Sequence, residues 1–227
     1  MKKKTKQILY NLFLPLLPLL FSTIMFVAAK QFVFWRPHGD LSCALDPYIP
    51  FLPWTAVLYL GSFLYWYLSF LLALRQEREK AARVYCAHVL TVLISFLFFV
   101  IMPTTLERPE LCEKGIWNWM LRVVYLIDTP ENLFPSLHCS TGWLCWVAVR
   151  RRKDLPLRYR LIALPLSLLV CISTLTTRQH VLADVIAGIA LCELDYALAG
   201  IPQIRELFLC AVEPILRRLK KSLLESD

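Results

Sequence analysis

Apolar and polar positions do not alternate at short period in this chain. Long apolar runs are separated by shorter polar segments, many of them basic. Six runs stand out, at residues 8–29, 54–74, 84–102, 135–149, 161–176 and 181–200. A membrane-crossing helix needs about 20 mainly apolar residues, so the pattern predicts an all-α integral membrane protein built as a six-transmembrane-helix bundle. The first run is longer than the roughly 7–15 apolar residues of a secretion signal. It is therefore expected to stay as a helix, distorted at Pro15 and Pro18. The fourth run is short and is expected to borrow part of the segment that follows it.

The connections are informative too. Residues 30–53 are polar, Pro-rich and aromatic, with Trp35, Tyr48 and Trp54 placed for an interfacial belt. Within the longest connection, 116–127 mixes apolar and polar positions and is expected to form an interfacial helix with Trp117 and Trp119 at the lipid boundary. The tail, 201–227, mixes apolar and basic residues. It is expected to lie on the membrane surface as an amphipathic helix broken near Pro214.

Composition supports the membrane reading. Of 227 residues, 58 % are hydrophobic and the mean hydropathy is +0.54, which excludes an ordinary soluble protein. The net charge of +8 is concentrated between apolar runs, which points to membrane orientation rather than nucleic acid. Segments 1–7, 75–83, 150–160 and 201–227 carry four, four, six and five lysines and arginines. The opposite connections carry only Lys30, Arg36, Arg108, Lys114, Arg122 and Arg178. This asymmetry predicts both termini in the cytoplasm. No linker or repeat divides the chain, so 1–227 reads as one membrane domain, with its motif-bearing core at about 84–200. The eight cysteines form no metal pattern. Cys43 and Cys112 fall in the two long outer connections, where a disulfide is one option if that side is oxidising.

In this topology the fourth and sixth runs start on the same side, and the third ends there. Three polar clusters therefore meet at one level: Arg108, the Pro135–Ser136–Leu137–His138 stretch, and Arg178 to Asp184. Such a set suits attack on phosphorus. Arg108 and Arg178 can offer bidentate donors. Ser136 can add a hydroxyl, and the starts of the two helices can add N–H groups. His180 and Asp184 are four residues apart and share a helical face. The carboxylate can therefore orient the imidazole as a nucleophile, while His138 serves as acid and base. No metal or cofactor is required. His88 sits near the inner end of the third run and reads as a structural histidine, and His38 as a loop residue. Ser136 also reads as a helix cap. Glu193 and Asp195 read as polar pairing partners inside the sixth run or at its inner end.

At these residues the sequence resembles the type 2 phosphatidic acid phosphatase superfamily, which also contains vanadium haloperoxidases. The family motifs are K-x6-R-P, P-S-G-H and S-R-x5-H-x3-D. Residues 135–138 match the second with Leu137 in place of glycine, and His180 and Asp184 match the end of the third. Arg178 stands only two residues before His180. That compact form resembles the inositol phosphorylceramide and sphingomyelin synthase branch. Arg108–Pro109 would end the first motif, although Ile101 stands where the lysine belongs; Arg36–Pro37 is the other outer Arg-Pro pair. The resemblance implies metal-independent phosphohistidine chemistry, with His180 as nucleophile, Asp184 as its partner, His138 as acid and base, and Arg108, Ser136 and Arg178 on the phosphate. It implies a membrane lipid phosphate as substrate and an active site on the extracytoplasmic face of the cell membrane. Three functions compete: a lipid phosphatase, a phosphotransferase that passes a phospho-headgroup to a hydroxyl acceptor, and a non-catalytic membrane transporter or structural protein. Neither the lipid nor the oligomeric state can be read from the sequence.

Overall fold

The computed structural model describes residues 2–112 and 114–225. Among them nine α-helices follow in order: α1 (Lys2–Phe13), α2 (Leu16–Val33), α3 (Ala56–Ala73), α4 (Arg78–Ile101), α5 (Ile116–Ile127), α6 (Leu137–Val147), α7 (Leu157–Thr176), α8 (Leu182–Leu198) and α9 (Pro202–Glu225). Four stretches are long and apolar enough to cross a membrane: Thr5–Val33, Pro53–Ala73, Arg78–Ile101 and Leu157–Thr176. A fifth forms if α8 and α9, bent by 91° at their junction, count as one. The protein is thus an all-helical, multi-pass membrane architecture. Many outward-facing side chains, such as Ile24, Val27, Leu64, Leu68 and Ile172, are apolar and exposed, as a lipid-facing surface requires.

The first span is interrupted by a turn at Leu14–Pro15, between α1 and α2, while Pro18 is accommodated in the first turn of α2. α5 occupies the range the polar–apolar pattern predicts. Leu121 and Val124 are buried, and Trp117 and Trp119 are exposed.

Two expectations need correction. α6 does not borrow the following segment: it has 11 residues and ends in turns before Pro156. At 1.5 Å per residue it is about 16 Å long, against a hydrocarbon core of about 30 Å. The basic run of Arg150, Arg151, Arg152 and Lys153 follows its end. Pro214 does not break the tail. α9 continues through it, with one backbone bond lost. Contacts along α9 hold it on both sides of the proline: Arg205 on Glu79, Arg78 on Glu213, and Tyr10 on the Leu216 carbonyl.

α6 is the axis of the bundle. It packs on α7 and α8, and also on α3 and α4, and no residue along it is exposed. Small residues permit this closeness. A Cβ at Gly142 would meet the Val170 side chain at 2.9 Å, and one at Gly188 would meet the Ser136 carbonyl at 2.6 Å. At one end of the bundle the basic residues are collected: Arg150 grips Glu193 bidentately at 2.5 and 2.7 Å, and Arg83 and Arg152 bind the carbonyls of Tyr196 and Leu72. Glu193 is thus an interhelical pairing group. Asp195 is buried and accepts from Thr91 of α4 at 2.7 Å. His88 is also structural, bonded through Nε2 to Ser22 of α2 at 2.8 Å and packed edge-on against Phe70.

At the other end the long connections are stitched together. Gly39 and Thr104 form an isolated bridge, and the Thr104 hydroxyl accepts from the amides of Leu133 and Phe134. The Leu52 amide donates to Thr176, and Tyr125 donates to the Thr177 carbonyl. Cys43 and Cys112 lie here as free, exposed thiols.

Candidate active site

The end of α7 sets the geometry. The Arg178 amide donates to Leu175, and the Gln179 amide to Thr174. This pair of bonds closes a helix with the residue after the cap in the left-handed region. Glycine usually occupies that position; here it is Arg178, with φ +54°. The turn is what compresses the Arg178–His180 spacing. It sends the Arg178 guanidinium back to the carbonyls of Asp46 and Ile49, at 2.9 and 2.7 Å. It also delivers His180 to the start of α8.

His180 Nδ1 lies 3.2 Å from Asp184 Oδ2. Both side chains are buried, and the same Asp184 oxygen accepts the Val181 amide at 3.1 Å. The Asp184 backbone carbonyl accepts the Ser136 amide, which ties the start of α8 to the start of α6. Asp184 therefore fixes the ring through Nδ1 and leaves Nε2 as the nitrogen that can react. Burial disfavours the charged imidazole, but the Asp184 hydrogen bond and charge outweigh it and raise the His180 pKa above its ordinary value.

His138 lies in the first turn of α6, and its Nε2 lies 2.8 Å from Ser62 Oγ. Ser62 donates its own proton to the Tyr59 carbonyl at 2.6 Å. The network therefore assigns the Nε2 proton to His138, which donates to Ser62, and leaves Nδ1 to gain or lose a proton. The ring stacks on Tyr59, centroids 3.8 Å apart, and meets Trp66 edge-on at 4.5 Å. Ser62, Tyr59 and Trp66 carry no motif; a lone serine in an apolar helix gives no sequence signal of this role.

The remaining expected residues divide. Arg108 donates to the Asp128 carbonyl at 2.7 Å and to Gln179 Oε1, and lies over the Tyr125 ring. Its Nε and the Gln179 side-chain nitrogen have no partner among the described residues. Arg36 instead binds the carbonyls of Val100 and Ile101 at the end of α4. Arg108, not Arg36, thus shares a cavity wall with His180. Ser136 is buried and accepts the Cys139 amide as the cap of α6. The first amides of α8 are already taken: Val181 by Asp184, and Leu182 by Asp46 Oδ1 at 2.8 Å. Asp46 reaches α8 from the connection between α2 and α3, beyond the range of any local motif.

Two cavities meet at His180. One, of about 280 Å³, is mostly apolar. It is lined by Phe26, Val27, Phe63 and Phe99, with His138, His180, Lys30, Asp128, Glu131 and Asn132 among its polar members. The other, of about 490 Å³, is the more polar of the two and lies between the long connections, with Arg108, Arg178, His180, Asp40, Asp46 and Glu107 on its wall. An oriented imidazole thus stands between an apolar slot and a chamber that carries two guanidinium groups.

The sequence model of the PAP2 superfamily matches residues 118–198. That segment runs from α5 through α8 and holds His138, Arg178, His180 and Asp184. Arg108 lies outside it. The match supports phosphatase- or phosphotransferase-type chemistry on lipid phosphates in a membrane. No curated protein and no solved structure matches the chain.

Proposed function

We propose that this protein is a membrane lipid phosphatase that works through a phosphohistidine on His180. The observation that carries the reading is the position of His180. Its Nδ1 is held by Asp184, and its ring is shared by an apolar cavity and an arginine-bearing polar one. The lipid chain lies in the apolar cavity and the phosphate faces Arg108 and Arg178. Nε2 attacks phosphorus, the bond from phosphorus to the lipid oxygen breaks, and His138 protonates that oxygen. Water enters from the polar chamber and gives its proton to His138. It attacks the phosphohistidine, the P–N bond breaks, and inorganic phosphate leaves. Arg108 and Arg178 offset the charge on the phosphoryl oxygens. Ser136 positions the start of α6.

The polar chamber also favours a second reading. At about 490 Å³ it can admit an alcohol as well as water, which would make the enzyme a phosphotransferase. Purified protein given a panel of lipid phosphates and diphosphates, with EDTA present, should release inorganic phosphate from at least one. A transferase would release little until given a hydroxyl acceptor, and would then form a new phospholipid. No turnover in either format would sink both readings.

Nucleophilic attack needs neutral His180, so its raised pKa has a definite sign. The acid limb of kcat/KM should lie above the unperturbed histidine value of about 6.5. Asp184→Asn removes the charge that holds the limb up. It should lower activity by roughly a hundredfold or more and move the limb to lower pH. A pH–rate profile with an unmoved limb would separate Asp184 from His180.

Orientation can be tested with native thiols. Cys43 and Cys112 are exposed at the His180 end, and Cys210 is exposed on α9 at the opposite end. In intact cells an impermeant maleimide should label the first two and spare Cys210. The reverse pattern would place the active site in the cytoplasm.

A further inference from the structure

We propose that Asn132 reads the substrate's backbone, and that this protein selects lipid phosphates bearing a hydroxyl or amide beside the phosphate. The inference rests on the lipid-phosphatase reading and names the substrate class within it. Asn132 lies in the connection between α5 and α6 and is only 2 % exposed. It lines the apolar cavity together with His138 and His180. Neither the nitrogen nor the oxygen of its carboxamide has a partner among the described residues. Buried amides are ordinarily satisfied, because desolvating both ends without compensation is costly.

The side chain is also held in place. Asn132 adopts φ +58°, a conformation that asparagine tolerates better than most residues. The next two amides, of Leu133 and Phe134, are both bound by the Thr104 hydroxyl at 3.0 and 2.9 Å. The loop therefore presents an ordered donor and acceptor to the cavity.

The flanking charged groups already have partners. Lys30 donates to Thr129 and lies 3.8 Å from Glu131, and Asp128 accepts from Tyr59. Among the described residues, two neutral polar groups of the cavity wall are left to meet a ligand: the Trp66 indole N–H, which can only donate, and the Asn132 carboxamide, which can donate and accept. Its NH2 needs an acceptor and its oxygen needs a donor. A hydroxyl or a secondary amide supplies both. An ester or ether oxygen supplies only the acceptor, and a polyprenyl chain supplies neither. Phe26, Val27, Phe63 and Phe99 take the hydrocarbon beyond. The geometry thus favours sphingoid and monoacylglycerol phosphates over fully esterified or isoprenoid ones.

The test uses a long-chain alkylphosphonate and its 2-hydroxy counterpart of equal length, neither of which can be hydrolysed. Binding to the full-length protein in detergent is read from intrinsic fluorescence, since Trp66 lines the cavity. The 2-hydroxy compound should bind at least about tenfold tighter, as expected where a buried polar group would otherwise stay unpaired. Asn132→Gly keeps the left-handed backbone without steric penalty and should bring the ratio to about one. If that variant binds neither compound, Asn132→Asp is measured instead; it removes the donor and should shrink the preference. Equal binding by the wild-type protein would overturn the proposal, as would a preference undiminished in the informative variant. If the preference appears but no lipid phosphate is hydrolysed, the catalytic reading fails and the backbone subsite stands.

Discussion

Alanine at position 180 should abolish phosphate release from any lipid phosphate the wild-type protein turns over. Removing a covalent nucleophile leaves only binding and electrostatic stabilisation, so the expected drop is about ten-thousand-fold or more. The fold should survive. The start of α8 is held by the Val181 amide on Asp184 and the Leu182 amide on Asp46, and neither bond uses the imidazole. The variant should therefore insert and melt near the wild-type temperature. With labelled substrate the wild-type protein should carry an acid-labile, base-stable phosphoryl group that His180→Ala lacks. Substantial residual turnover, or an undiminished phosphoenzyme, would move the nucleophile elsewhere.

Gly188→Ala should impair both stability and activity, although alanine is the better helix former. In an open helix position the exchange gains about 1 kcal/mol. Here the new methyl group would lie 2.6 Å from the Ser136 carbonyl and 3.1 Å from Ser140 Oγ. Ser140 also donates to the Gly188 carbonyl at 2.9 Å, a bond that separating the helices would break. Overpacking typically costs about 1–3 kcal/mol, and a lost hydrogen bond adds about 1 kcal/mol. The balance is destabilising. Because Ser136 caps the helix that carries His138 in its first turn, the displacement falls on the site, where a 1 Å error costs roughly a hundredfold in rate. Gly61→Ala is the control: a Cβ there meets nothing within 4 Å, so activity should be retained. Phosphate release and thermal unfolding of the two purified variants decide the matter. A fully active Gly188→Ala would show that α6 and α8 can separate without consequence.

Much of the helical architecture was legible because apolar length is a one-dimensional property. The runs at 54–74 and 84–102 map closely onto α3 and α4, and the mixed segment 116–127 coincides with α5. The His180–Asp184 pair was legible for a similar reason: its geometry is local to one turn. The partners of His138 were not, because Ser62 lies 76 positions away and looks like any small residue in an apolar helix. Asp46 and Asn132 sit in connections whose course depends on tertiary stitching through Thr104 and Thr176. Which Arg-Pro pair shares a cavity wall with His180 likewise needed three dimensions: Arg108 does, while Arg36 binds the end of α4. Pro214 misled because packing on α1 and α4 outweighs the single backbone bond it removes. Leu137 in place of the family's glycine left the position of His138 at the head of α6 intact.

The shortness of α6 has a mechanical consequence. Helices that face lipid must match the bilayer, and they tilt or bend as its thickness changes. α6 has no exposed residue and packs chiefly on α3, α4, α7 and α8, so it bears little of that load directly. The depth of His138 is set by protein neighbours, and its registry with His180 by the Ser136 amide on the Asp184 carbonyl and the Ser140 hydroxyl on the Gly188 carbonyl. The surrounding helices form a suspension, and the reacting pair rides inside it.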